Sequence, residues 1–218
     1  MTPRFTPVLF DLDGTIVDSA PGILASLAWT YEQLRMPIPA PAELLKWVGP
    51  PILDSFRDLA KLDEDESRYA LVLYREHYAE VGVLDATPYP GVLDVLRDIR
   101  DAGVPLSLAT SKPESLARTI LDHIGIADAF TEITGASEDE VRSSKPDVVA
   151  EALRRLAADG DAGPAPVMVG DRIHDVEGAA EHEVPTIFVA WGYGSPAEAA
   201  GAIAVARTSD ELLAELAL

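Results

Sequence analysis

The chain has 218 residues, 48% of them hydrophobic, with no cysteine and a formal net charge of −20. This length suits one large domain or a core carrying an insertion, and the missing cysteines exclude disulfides and thiolate metal sites. Acidic charge of this size repels nucleic-acid backbones and anionic membranes, and it repels a free phosphorylated metabolite unless local cations or a metal offset it.

The N-terminal stretch Met1-Thr2-Pro3-Arg4-Phe5 leads into an apolar run that Asp11 and Asp13 interrupt. It therefore lacks the hydrophobic region of a secretory signal, and no later run is long enough to span a bilayer. A cytoplasmic protein, monomer or homodimer, without nucleic-acid or membrane partners is expected. Val8-Leu9-Phe10 reads as a buried strand, and the Asp11-Leu12-Asp13-Gly14-Thr15 that follows it is a strand end running into an Asp-Gly turn. Buried carboxylates need partners, so this strand is expected to deliver two acids to a sheet edge.

Beyond Ser19 the periodicity becomes helical. Helices are predicted over 21–36, 43–48, 52–60 and 64–81, broken by Pro37, Pro39, Pro41 and Gly49-Pro50-Pro51, with no convincing strand between 20 and 86. From Pro88 helices and strands alternate. Helices are expected over 91–102, 114–124, 145–158, 175–181 and 209–216, and strands over 104–109, 129–134, 167–169, 186–190 and 202–206. This alternation predicts a parallel sheet covered on both faces, with ligands bound beyond the carboxyl ends of its strands. Asp11, Thr110 and Asp171 each sit just past such an end.

Asp11, Asp13, Asp171 and Asp175 at one edge would repel one another unless a cation binds. Hard oxygen ligands select Mg²⁺ or a similar ion. Asp11 and Asp171 are the expected direct ligands, Asp13 adds its backbone carbonyl, and Asp175 acts through water or from behind. Lys145 at a helix start and Thr110 at a strand end are ordinary structural residues taken singly; beside four acids they gain a function. Lys145 would neutralise a phosphoryl group and hold the attacking carboxylate, and Thr110 with the Ser111 backbone N–H would donate to phosphate oxygens. Asp11 is then the nucleophile and Asp13 the proton shuttle. Gly14 and Thr15 in the turn join the substrate contacts, as do Lys46 and Arg57 in the helical segment.

These pieces together resemble the haloacid dehalogenase-like hydrolase superfamily. The resemblance rests on Asp11-Leu12-Asp13-Gly14-Thr15, Thr110-Ser111, Lys145-Pro146 and Gly170-Asp171-Arg172-Ile173-His174-Asp175, in the family's order. It implies an α/β, Rossmann-like three-layer core with strand order 5-4-1-2-3, aspartyl-phosphate chemistry and Mg²⁺. It also implies an α-helical cap over 20–86 on a core of 1–19 and 87–218. The insertion and Ser111-Lys112-Pro113 resemble the phosphoglycolate phosphatase branch. Asp147-Val148, where many relatives carry a second proline, departs from it, and the last motif is similar to nucleotidase-like relatives. Asp13 weighs against dehalogenases and phosphonate-cleaving members. The expected activity is a phosphatase acting on a small substrate, phosphoglycolate-like or a nucleoside monophosphate. A β-phosphoglucomutase-like phosphomutase and a phospho-acceptor signalling module are the alternatives.

Overall fold

A computed structural model describes residues 3–218 of the chain; Met1 and Thr2, part of the stretch read above for a signal, lie outside the described residues. The sheet is built around β1 (Val8–Phe10), whose residues are fully buried. Parallel neighbours flank it, β4 (Leu106–Pro113) on one side and β6 (Val167–Gly170) on the other, with Val8 in register with both Leu106 and Val167. Beyond them lie β5 (Glu132–Ala136) at one edge and β7 (Thr186–Val189) and β8 (Ala204–Ala206) at the other. The order β5-β4-β1-β6-β7 is the expected 5-4-1-2-3 arrangement read from the opposite side, and β8 adds a sixth strand.

Alternation along β1 sends its side chains into two layers. Leu9 packs with Met168, Val149, Ala152 and Ala179, so α7 (Lys145–Asp159) and α8 (Ile173–Ala180) cover that face. Val8 and Phe10 point the other way, into a cluster with residues of α5 (Val92–Asp101), α6 (Glu114–His123) and α9 (Ser209–Leu216). An all-parallel sheet needs apolar cover on both sides, and the near-continuous apolar strands match that environment. The chain therefore has the α/β three-layer architecture the sequence implies.

Between β1 and the rest stand two very short strands, β2 (Val17–Asp18) and β3 (Thr87–Pro88), paired antiparallel. They clamp the two ends of the helical segment together: α1 (Ala20–Gln33), α2 (Pro41–Leu44), α3 (Ile52–Asp58) and α4 (Glu64–His77). Sequence periodicity misses both strands, since two residues carry no period. It also misplaces several ends. The expected helix over 43–48 is a single turn, α2, followed by a 3₁₀ turn at Leu45–Trp47. The helix expected to reach Val81 stops at His77 and widens into a π turn over Tyr78–Gly82. The strand expected to end at Ala109 runs on to Pro113 through a register shift, and β5 begins three residues late, at Glu132, after a 3₁₀ turn. Among the described residues, no helix is long and apolar enough to cross a membrane.

The π turn fits against α1 because two glycines meet. A Cβ on Gly22 would lie 2.1 Å from the Gly82 carbonyl oxygen, and one on Gly82 would lie 2.7 Å from the Gly22 carbonyl oxygen. Alanine inside a helix ordinarily gains about 1 kcal/mol over glycine. Gly22→Ala is nevertheless expected to destabilise the protein, because backbone rather than a movable side chain fills the space. A lowered chemical-denaturation midpoint with unchanged m-value is the expected result; a raised midpoint would contradict this packing.

Candidate active site

Parallel pairing brings three strand ends to one edge. The Asp11 N–H donates to the Val169 carbonyl at 2.9 Å, which sets Asp11 beside the turn that carries Asp171. Carboxylate oxygens of Asp11, Asp171 and Asp175 lie within 4.8 Å of one another, and all three residues are buried. Lys145, on the first turn of α7, reaches into this cluster. Its Nζ is 2.8 Å from Asp11 Oδ1, 2.8 Å from Asp175 Oδ1 and 3.0 Å from the Ala109 carbonyl oxygen. Ser144 caps that helix, its hydroxyl accepting from the Asp147 N–H, which fixes where the lysine begins.

One ammonium among three buried acids leaves an excess of negative charge. Burial, the largest cause, pushes the Asp11 carboxyl up to about 6; Lys145 opposes this and Asp175 adds to it. Asp171 is held well above the ordinary carboxylate range, first by burial, then by Asp175 and Asp11, with the Tyr193 N–H pulling the other way. Burial alone would lower Lys145, but Asp11 and Asp175 outweigh it and the net shift is upward. An all-oxygen donor set with this surplus charge fits a hard divalent cation.

The cluster is held from behind. Asp171 accepts from the Thr15 hydroxyl at 3.2 Å and the Tyr193 N–H at 2.7 Å. Asp175 accepts from the Arg172 N–H at 2.9 Å. Gly14 has a φ of +89°, and a Cβ there would sit 2.4 Å from Asp171 Oδ2. Only glycine gives both that conformation and that approach. Trp191 and Tyr193 tie the loop after β7 to the start of the helical segment: the Trp191 indole donates to the Thr15 carbonyl at 3.1 Å, and the Tyr193 hydroxyl donates to Asp18 Oδ1 at 2.7 Å. The Ser19 and Ala20 N–H groups in turn donate to that hydroxyl.

Asp13 stands apart from the trio. Its carboxylate accepts from the Ser19 hydroxyl at 2.5 Å and from Lys112 Nζ at 3.0 Å on both oxygens. The carboxylate is thus engaged away from the cluster of Asp11, Asp171 and Asp175. Sequence reading noticed Lys112 only as part of a pattern and missed its pairing. Thr110, expected just past a strand end, lies buried within β4 at the start of its irregular stretch, where its hydroxyl accepts from the Lys112 N–H.

Two cavities share Pro50 and Ser111 in their walls. One, of about 40 Å³, lies between the helical segment and the sheet edge and is lined by Asp13, Lys112, Trp47, Tyr74, Tyr78 and Arg75 among others. The other, of about 530 Å³, opens on the Lys145 side and is lined by Lys46, Ser144, Arg172 and His174 among others. Lys46 is exposed and lines this wider cleft. Arg57 does not join the site. It pairs with Asp54 at 2.8 Å and Glu64 at 2.7 Å and lines neither cavity, so the structure does not bring this expected substrate contact to the cleft that Lys46 lines. Gly14 and Thr15 also line neither cavity and instead shape the seat of Asp171. Arg172 joins Glu198 at 2.8 Å to the Val48 carbonyl, bridging the sheet and the helical segment.

With this geometry in view, the chain matches the family model of haloacid dehalogenase-like hydrolases over residues 8–189. It belongs to that family. It is 44% identical over 190 residues to the tyrosine-protein kinase PtkA of Mycobacterium tuberculosis; the match covers 86% of this chain and 62% of that relative, so this chain spans less than two thirds of its length. It is 33% identical over 195 residues to a 5'-nucleotidase of Pseudomonas aeruginosa, covering 89% and 87% of the two chains. The crystal structure of a predicted phosphatase from Clostridium acetobutylicum superposes with a TM-score of 0.90 at 36% identity, covering 97% of each chain. The family match begins at the first residue of β1 and ends with the last of β7, so it takes in all the acids and the lysine described above.

The charge surplus predicts linkage between cation binding and stability. Adding MgCl₂ should raise the thermal midpoint, by the equivalent of about 2.7 kcal/mol at one hundred times the dissociation constant. In Asp171→Asn the increment should shrink to near zero. An equal rise in that variant would contradict binding at these carboxylates.

Proposed function

We propose that the chain is a Mg²⁺-dependent phosphoric monoester hydrolase acting on a small phosphorylated metabolite through an aspartyl-phosphate intermediate. The observation that carries this reading is the Lys145 ammonium held between Asp11 and Asp175, with Asp171 alongside and a second, separately paired acid two residues after Asp11.

Asp11, Asp171 and the Asp13 carbonyl would hold the ion, with Asp175 behind them; when bound, it neutralises phosphoryl oxygens and the surplus of the buried acids. Lys145 occupies Asp11 Oδ1, leaving Oδ2 to attack phosphorus. The bond from phosphorus to the ester oxygen breaks as the new bond to Asp11 forms, and Asp13 gives its proton to the departing alkoxide. Water then attacks phosphorus and passes a proton to Asp13, releasing orthophosphate and freeing Asp11. Phosphate oxygens would sit against Thr110 and Ser111 in the irregular last stretch of β4. The catalytic power asked of the protein is positioning and electrostatics.

In this reading residues 20–86 act as a cap on a core of 1–19 and 87–218, and cap contacts, Lys46 among them, choose the leaving group. The wide cleft on the Lys145 side supports entry of a leaving group larger than the small cavity admits, and the resemblance to a 5'-nucleotidase supports nucleoside monophosphates beside phosphoglycolate-like esters.

Asp11→Asn should lower kcat by at least about a thousandfold, equivalent to roughly 4 kcal/mol of barrier. The assay follows orthophosphate from phosphoglycolate, nucleoside monophosphates, sugar phosphates and p-nitrophenyl phosphate with Mg²⁺. Near-normal turnover by the variant would overturn the nucleophile, and isomerised sugar phosphate without orthophosphate would favour a mutase.

A further inference from the structure

We propose that Lys112 is a positioning residue for Asp13, and that the helical segment reaches Asp13 through it by way of the Tyr78 ring; this rests on the phosphatase reading above. The ion pair is buried, with side chains only 5% and 8% exposed, and Nζ spans both carboxylate oxygens. The Ser19 hydroxyl adds a third bond on Oδ1. On its far side the same ammonium lies 4.7 Å from the centroid of the Tyr78 ring, within the range of a cation–π contact.

Each part of this chain of contacts has a structural cause. The register shift between Ala109 and Pro113 turns the strand end, and an irregularity of this kind re-aims side chains. Lys112 thereby points inward although the strand is nearly over. Tyr78 opens the π turn that the Gly22–Gly82 contact seats against α1, so its ring position is set by packing of the helical segment. Asp13, Lys112 and Tyr78 all line the small cavity, so the ester oxygen must reach this cavity to take a proton from Asp13, while the body of a larger leaving group extends into the wider cleft.

A proton donor must be within hydrogen-bond reach of the departing oxygen. A carboxyl group on a single bond can swing away, and Lys112 with Ser19 prevents this. The restraint holds whether Asp13 carries its proton or not, because an ammonium donates to a carboxyl C=O as well as to a carboxylate. The Tyr78 ring against the ammonium adds to this restraint and ties it to the helical segment.

The consequence depends on the leaving group. An alkoxide needs the Asp13 proton as the phosphorus–oxygen bond breaks; p-nitrophenolate departs as a stable anion without it. The parameter kcat/KM reports steps only through this first transfer. The ratio of kcat/KM for an alkyl ester (phosphoglycolate or adenosine 5'-monophosphate) to that for p-nitrophenyl phosphate isolates the aim of Asp13 from general damage, which lowers both together.

In Lys112→Met this ratio should fall by at least about tenfold, within what general acid catalysis supplies. Lys112→Arg, which keeps a charge and donors and guards against a misfolded Met variant, should recover part of it. Tyr78→Leu should lower the ratio in the same direction, and Tyr78→Phe, which keeps the ring, should lower it less. In an Asp13→Asn background Lys112→Met should change the ratio by less than about twofold, because the two act as one unit. A wild-type ratio in Lys112→Met, or a full additional loss in the Asp13→Asn background, would overturn the proposal. Those results come from an enzyme that turns over phosphate esters; a wild-type protein that hydrolyses none of them overturns the phosphatase reading itself and this proposal with it.

Discussion

The structure depends on how charge is balanced at the carboxyl edge of a buried sheet. Asp11, Asp171 and Asp175 are brought within 4.8 Å of one another and out of water, with Lys145 as the ammonium among them. Removing Lys145 from such a cluster costs about 3–5 kcal/mol because the buried acids are left uncompensated. Fold and site are thus tied together. The strands must end where they do for the acids to meet, and α7 must begin at Lys145 for its ammonium to arrive.

The second constraint is close approach. Backbone must pass within van der Waals contact of the acids to shield and orient them. A Cβ at Gly14, Gly170 or Gly192 would lie 2.3–2.4 Å from a carboxylate atom of Asp171 or Asp175. The loop carrying Gly192 also carries Trp191 and Tyr193, which reach back to Thr15, Asp18, Ser19 and Ala20. The seat of Asp171 and the root of the helical segment are therefore one hydrogen-bonded unit. Arg172 adds a second tie, to Val48. Movements of the helical segment would be felt at the acids through these two routes and through Tyr78.

Most of the layered core was legible in the sequence, and the reason is physical. β1, β6 and β7 are short apolar runs that stop abruptly at acids, glycines or turns, and strands buried on both faces read that way. The acids and Lys145 were legible because isolated charges at strand ends and a helix start are costly unless used together. What escaped was long-range or aperiodic. β2 and β3 are too short to carry a period. The bulge in β4 and the π turn after α4 depend on packing against other elements. The Lys112–Asp13 pair joins residues 99 positions apart. Arg57 shows the same limit: its pair with Asp54 is a local i,i+3 contact, but its pair with Glu64 joins α3 to α4 and depends on how those two helices pack.

The central claim is that Asp11 captures the phosphoryl group. An acyl phosphate is reduced by borohydride to the alcohol, so quenching Mg²⁺-supported turnover with borohydride and mapping the peptides by mass tests it directly. The account predicts homoserine at position 11, dependent on substrate; turnover with no reduced residue there, or with reduction at another carboxylate, would contradict it.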